Sequence, residues 1–200
     1  VEGSILVISA PSGAGKSTLI QRLLAADPRL RFSISYTTRP PRPGEVHGKD
    51  YHFISHEDFL RLRDSGGLVE WVEQFGYFYG TGVEWVRSTI AGGADALLDL
   101  EPRGARAIKA LFPAALLIFI LPPSLEELER RLRLRGGLSL RELAQRLEQG
   151  REELRQACHY DYLVVNEDLA TAETELKAII TAARLRSSIT WPHLSPRFQV

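Results

Sequence analysis

The sequence predicts an α/β domain, a parallel sheet covered by helices, and two observations carry that expectation. One is the stretch Ile5 to Thr18, a short apolar run that passes through a Gly-rich turn into residues at helical spacing. The other is the alternation, along the whole chain, of short apolar runs with amphipathic stretches, which suits strands buried on both faces by crossover helices. At 200 residues and 44% apolar composition the chain can bury one sizeable core.

Taken in order, strands are expected at Ile5 to Ser9, Phe32 to Ser35, Ala96 to Leu100, Ala115 to Leu121 and Tyr162 to Val165. The first helix follows the turn, with Leu19, Ile20, Leu23 and Leu24 repeating at helical spacing until Asp27-Pro28 stops them. Later helices announce their starts by capping-box spacing, Ser55 before Asp58, Ser124 before Glu127 and Ser139 before Glu142. The segment 35–82 is richer in Pro, Gly and aromatic residues and reads as an inserted lobe. The Arg-rich segment 126–156, broken by Gly136-Gly137, reads as a second, mobile one. That leaves 1–34, 83–125 and 157–190 as the core and 191–200 as a tail.

The 25 basic and 25 acidic residues cancel, so nothing in the overall balance points to a nucleic-acid or membrane surface as partner. The longest apolar run, Phe112 to Leu121, is too short to cross a bilayer and ends in Pro122-Pro123. The amino end lacks the basic flank and cleavage site of a signal peptide. Cys158 stands alone, which excludes an internal disulfide and fits a reducing cytoplasm. His47, His52, His56, His159 and His193 show no metal-ligand spacing, so no zinc site is expected.

The turn Ala10-Pro11-Ser12-Gly13-Ala14-Gly15-Lys16-Ser17-Thr18 reads as a phosphate cradle. In such a loop backbone N–H groups converge on the phosphates, Lys16 supplies a charge near the β- and γ-phosphates, and the Ser17 hydroxyl is placed to ligate Mg²⁺. Ala10 stands where the pattern G-x-x-x-x-G-K-[ST] begins with glycine. The bland reading is an ordinary Gly-rich turn capping a helix. Asp99 closes an apolar strand, where a P-loop enzyme keeps the acid that organises Mg²⁺ through water. Asp99 and Glu101 could instead be helix-start charges for Pro102 onward.

A second motif runs from Thr37 to Phe53. It sets Arg39 and Arg42 in a proline-stiffened loop followed by Tyr51, guanidinium forks and a phenol suited to a terminal phosphate, though a solvated basic loop has the same composition. Here the chain resembles the guanylate kinase family, whose signature T-[ST]-R-x-x-[KR]-x-x-[DE]-x-x-G-x-x-Y-x-[FY] is met at every fixed position. The likeness continues through Glu70-Trp71, Tyr79-Gly80-Thr81, Leu97-Leu98-Asp99, Gly104-Ala105, Ile118 to Ser124 and Tyr160 to Asn166, to about Arg186.

That resemblance implies a nucleoside-monophosphate-kinase fold of the P-loop class, with 35–82 as the GMP-binding lobe and 126–156 as the lid. It implies transfer of the γ-phosphoryl of Mg-ATP to GMP, and to dGMP, in purine metabolism, by a cytoplasmic monomer or homodimer. Ser35, Arg39, Arg42, Tyr51 and Tyr79 would hold the phosphate of GMP, while Glu70 and Thr81 would read the guanine. Without the family, Glu70 reads as a plain surface carboxylate. Arg131, Arg135 and Arg146 would meet the ATP phosphates on closure, and Lys16, Arg39, Arg135 and Arg146 would surround the transferred group. Asp99 and Glu101 would lie beside the substrate, Glu101 standing where aspartate is usual. Asn166 would lie near the adenine, unless it only forms a turn. The chain departs from its relatives at Gly82, where a hydroxyl residue is usual, and at Gly136-Gly137-Leu138-Ser139, where G-T-D-S is common after the arginine. A phosphopeptide-binding module and a small kinase for another substrate are the competing readings.

Overall fold

The structure, a computed structural model, describes residues 2–74, 76–134, 136–137 and 139–198. Five parallel strands form the main sheet: β1 (Ile5–Ser9), β2 (Leu30–Phe32), β7 (Asp95–Asp99), β8 (Leu116–Leu121) and β9 (Tyr162–Val165), in the order β2-β7-β1-β8-β9. Alternate residues of β1 supply two separate cores, which is why Ile5 to Ile8 are apolar at every position. Leu6 and Ile8 pack beneath α1 (Lys16–Ala26) and α7 (Leu169–Arg184), with Leu19, Leu23, Leu176 and Ile180. Ile5 and Val7 pack beneath α3 (Val83–Ala91) and α4 (Pro102–Leu111), with Val86, Ala105 and Ile108.

A second sheet is built wholly within 36–82, from β3 (Tyr36–Thr37), β4 (His52–Phe53), β5 (Leu68–Gln74) and β6 (Tyr77–Gly82), in the order β4-β3-β6-β5. The helix α2 (His56–Asp64), capped by the Ser55 hydroxyl accepting from the Asp58 N–H, sends the fully buried Phe59 onto the ring of Phe78. Helices α5 (Leu125–Leu134) and α6 (Leu140–Arg155) share a small core of Leu128, Leu132 and Leu143. The Ser139–Glu142 capping box at the start of α6 is formed in both directions.

Strand β2 lies earlier than the expected Phe32 to Ser35. Leu30 is the buried residue and pairs with Asp95, whereas Phe32 is 38% exposed and the chain leaves for the second sheet after Ser33. Strand β7 begins one residue earlier than its apolar run. Asp95 is completely buried there because it accepts from the Ser4 N–H at 2.8 Å and from the Arg184 guanidinium at 2.7 Å. The expected tail is a helix, α8 (Ser187–Phe198), which runs through Pro192 and Pro196 and stacks Trp191 on Phe198. The prolines argue against a helix from sequence because each removes an N–H. Among the described residues no helix is long and apolar enough to cross a membrane.

Candidate active site

The carboxyl ends of β1 and β7 lie side by side, with Ile8 in register with Asp99. In open parallel sheets ligands collect at such ends, where the connections diverge to opposite sides. Two cavities open there. One, about 540 Å³, lies over the turn after β1 and is lined by Ser12, Gly15, Lys16, Ser17, Arg131 and Glu153. The other, about 500 Å³, lies between the two sheets and is lined by Ser35, Tyr51, Glu70, Tyr79, Arg103 and Gly104. Lys16, Asp99 and Glu101 line both.

The turn is shaped by two glycines. Gly13 (φ 94°) and Gly15 (φ 92°) are left-handed, which L side chains rarely adopt. A Cβ on Gly13 would also come within 3.1 Å of Leu132, and one on Gly15 within 2.2 Å of the Asn166 amide. The methyl of Ala10 packs on the core beneath α1. Lys16 opens α1 and forms an ion pair with Asp99, while Ser17 and Thr18 complete the lining. Asn166 is 5% exposed, and its amide donates to the Ala14 carbonyl at 2.8 Å. It therefore props the turn from behind instead of projecting into the cavity. Its own carbonyl accepts from Arg131 at 2.9 Å.

Arg131 also donates to Glu127 at 2.7 Å, and the Arg130 and Arg131 guanidinium groups hold the Glu127 carboxyl down to about 2. Arg146 reaches the Ser12 hydroxyl at 3.2 Å. Arg135 and Leu138 lie outside the described residues. Gly136 and Gly137 both take positive φ, 72° and 73°, so the departure at 137 places glycine where the backbone favours it.

In the second cavity, Glu70 of β5 faces Thr81 of β6, which is 1% exposed and donates its hydroxyl to Glu70 Oε1 at 2.8 Å. Burial pushes the Glu70 carboxyl above its ordinary value, with Glu101 adding to the rise and Thr81 and Arg103 opposing it. Gly104 makes this packing possible, since a Cβ there would lie 3.1 Å from Glu70 Cγ. Gly82 has a steric cause of its own. A Cβ at that position would meet the ring of Tyr36 at 2.9 Å, so any larger residue there requires Tyr36 to shift.

Tyr51 and Tyr79 meet edge to face at 6.0 Å, and the Arg39 guanidinium lies 5.5 Å over the Tyr51 ring. Arg39 is buried and points at Glu45, donating to its carboxylate at 2.8 Å, which holds Glu45 below the usual carboxylate range. The other Glu45 oxygen accepts from the Arg42 N–H at 2.7 Å, and the Arg42 side chain is exposed. The structure thus brings Ser35, Tyr51, Glu70, Tyr79, Asp99 and Glu101 around one cavity, with Thr81 behind Glu70. It sets Arg39 and Arg42 at the edge, tied to a carboxylate that the motif contains but charge reasoning passed over.

Gln149 and Glu153 of α6 were also passed over. They follow Arg146 at i+3 and i+7, one helical face, and the Gln149 amide donates to Glu153 at 2.9 Å. Burial raises the Glu153 carboxyl, the Gln149 hydrogen bond and Lys16 opposing the rise and Glu101 adding to it. That spacing from Arg146 is the sequence signal that marks them. Among the described residues no group of three or more His, Cys, Asp or Glu is arranged to hold a metal by itself.

Comparison with known proteins gives one consistent outcome. A family profile described as guanylate kinase matches residues 2–183. The chain is 47% identical over 184 residues to a guanylate kinase of Aromatoleum aromaticum, covering 92% of this chain and 90% of that protein. It is 48% identical over 189 residues to that of Escherichia coli K12, covering 94% and 91%. Its fold matches the crystal structure of guanylate kinase from Anaplasma phagocytophilum with a TM-score of 0.76 and 32% identity, over 100% of this chain and 97% of that one.

Proposed function

The chain belongs to the guanylate kinase family, and from that premise we propose which of its residues carry out the family's reaction. It is an ATP:GMP phosphotransferase, converting ATP and GMP to ADP and GDP. We assign the cavity over the Gly-rich turn to ATP and the cavity between the sheets to GMP. The observation that carries the assignment is that Lys16, Asp99 and Glu101 line both cavities, so two bound nucleotides would meet there.

On the donor side, the N–H groups of the turn and the Lys16 ammonium receive the triphosphate, and Arg131 and Arg146 approach it from the lid. On the acceptor side, guanine presents N1–H and N2–H₂ donors to the Glu70 carboxylate, which offers both oxygens as acceptors only when ionised, and Thr81 turns its hydroxyl to the base. Adenine has no such pair of donors and would leave Glu70 buried without partners. Ser35, Tyr51 and Tyr79, with Arg39 and Arg42 turning inward, hold the phosphate monoester. The attacking oxygen of GMP is already ionised, so the transfer needs no protein base and no covalent enzyme intermediate. It needs positioning and charge neutralisation.

Mg²⁺ fits the oxygen donors present, the Ser17 hydroxyl inside the cradle and the Asp99 carboxylate across it. When bound with ATP, it neutralises the phosphate oxygens and leaves Lys16 and the arginines to orient them. Folding of the two lobes over the nucleotides would exclude water, the competing acceptor. The lone Cys158 fits a cytoplasmic location. The test is ADP release with ATP over a panel of nucleoside monophosphates. GMP is expected to exceed AMP, CMP and UMP by orders of magnitude, and equal rates with AMP would overturn the assignment of Glu70 and Thr81.

A further inference from the structure

Helix α6 lies directly on the cradle. A Cβ on Gly150 would stand 3.5 Å from Pro11, and Arg146, one turn before it, reaches Ser12. The same face carries Gln149 and Glu153 into the donor cavity, where Glu153 joins Asp99 and Glu101 around Lys16. A lid face meant only to grip a polyanion would present cations. This one carries a carboxylate two turns after its arginine, and the Gln149 amide between them donates to it at 2.9 Å.

We propose that Glu153 is a positioning residue that makes the donor site select the Mg²⁺ complex of the triphosphate over the free nucleotide. The proposal rests on the assignment of ATP to the Lys16 turn. Mg²⁺ sheds its water reluctantly and keeps several molecules when bound to phosphates, and those waters need acceptors. Asp99 on the sheet and Glu153 on the lid helix both line the cradle cavity and would supply carboxylate oxygens for them. Toward a metal-free triphosphate the same carboxylate is a like charge in a half-enclosed site, where repulsion is poorly screened. One group thus favours the complex and opposes the free anion. Glu148, Arg151, Glu152 and Arg155 instead pair with one another on the exposed face of α6.

The test is calorimetric titration of the 200-residue chain with ATP, once in excess MgCl₂ and once in EDTA, for the wild type and the variants Glu153→Gln, Glu153→Asp and Glu152→Gln. The wild type is expected to prefer Mg-ATP. Glu153→Gln should tighten metal-free ATP and weaken Mg-ATP, so that the ratio of the two affinities falls on the order of tenfold. Glu153→Asp, which keeps the charge, should retain most of that ratio, and Glu152→Gln all of it. An unchanged ratio in a folded Glu153→Gln, or equal losses in the Gln and Asp variants, overturns the proposal. Failure of the wild type to bind ATP in either medium would instead overturn the donor-site assignment, and this inference with it.

Discussion

Replacing Glu70 by Gln keeps the shape of the acceptor site and removes its charge. The carboxylate offers two acceptor oxygens to the two donors of guanine, each bond charge-assisted and worth about 1.5–3 kcal/mol. Gln keeps one acceptor oxygen and turns an NH₂ donor toward a guanine donor, so the loss is about 3 kcal/mol, or about 100-fold in kcat/KM for GMP. The Thr81 hydroxyl, now 2.8 Å from Glu70, can still donate to the amide oxygen, so the strand pair itself survives. Stability should move the other way. Burial raises the folded-state pKa of Glu70, so the native protein binds this proton more readily than the unfolded chain. The wild type is therefore penalised as pH rises from the unfolded value of Glu through the raised folded one, and the full penalty persists at neutral pH. Glu70→Gln should melt at or above the wild type at neutral pH, with the difference closing in acid. In the wild type, KM for GMP should climb as pH falls through the raised pKa, a limb absent from the variant. Steady-state kinetics with GMP and ATP varied in turn, together with melting curves across pH, check both halves. A kcat/KM for GMP within threefold of wild type, or an equal rise in KM for ATP, would refute the reasoning.

Further outcomes follow from other contacts. Lys16→Ala should lower kcat by about 10²-fold or more. Asp99 keeps 31% of its side chain in water, so the melting temperature should scarcely move, as a thermal scan would show. Asn166→Ala leaves the Ala14 carbonyl without its buried donor and should cost about 1–3 kcal/mol, measured by urea titration, with weaker ATP binding and unchanged KM for GMP. Gly82→Ser should destabilise through the clash with Tyr36, and combining it with Tyr36→Ala should recover part of that loss. A double-mutant cycle is expected to show a coupling of about 0.5–3 kcal/mol.

What could be read from the chain divides by distance along it. Gly13, Gly15, Lys16 and Ser17 are legible because the cradle is local and its conformational demands fall on consecutive residues. Strands β1 and β8 are legible because burial on both faces leaves apolar runs, and β9 because its residues are apolar although only Val164 is buried, whereas β2 slips because its exposed Phe32 looks more like a core residue than its buried Leu30. Partners brought together by the fold leave weaker traces. The Arg39–Glu45 pair lies inside the motif, but a charge count cannot distinguish a carboxylate that holds an arginine from a solvated one. The prop from Asn166 to Ala14 spans 152 residues, and nothing at either position signals it. Asp95 shows the same limit, since its burial depends on Arg184 and on the Ser4 N–H from opposite ends of the chain.

The carboxylate resting on Arg39 has a consequence for how the acceptor is admitted. The guanidinium already has an anion of single charge belonging to the protein, so another singly charged visitor such as a carboxylate or a phosphodiester gains nothing by the exchange. A phosphate monoester brings twice the charge and three oxygens, and can displace Glu45. The loop would thereby turn away free nucleosides and internucleotide linkages before any base is inspected.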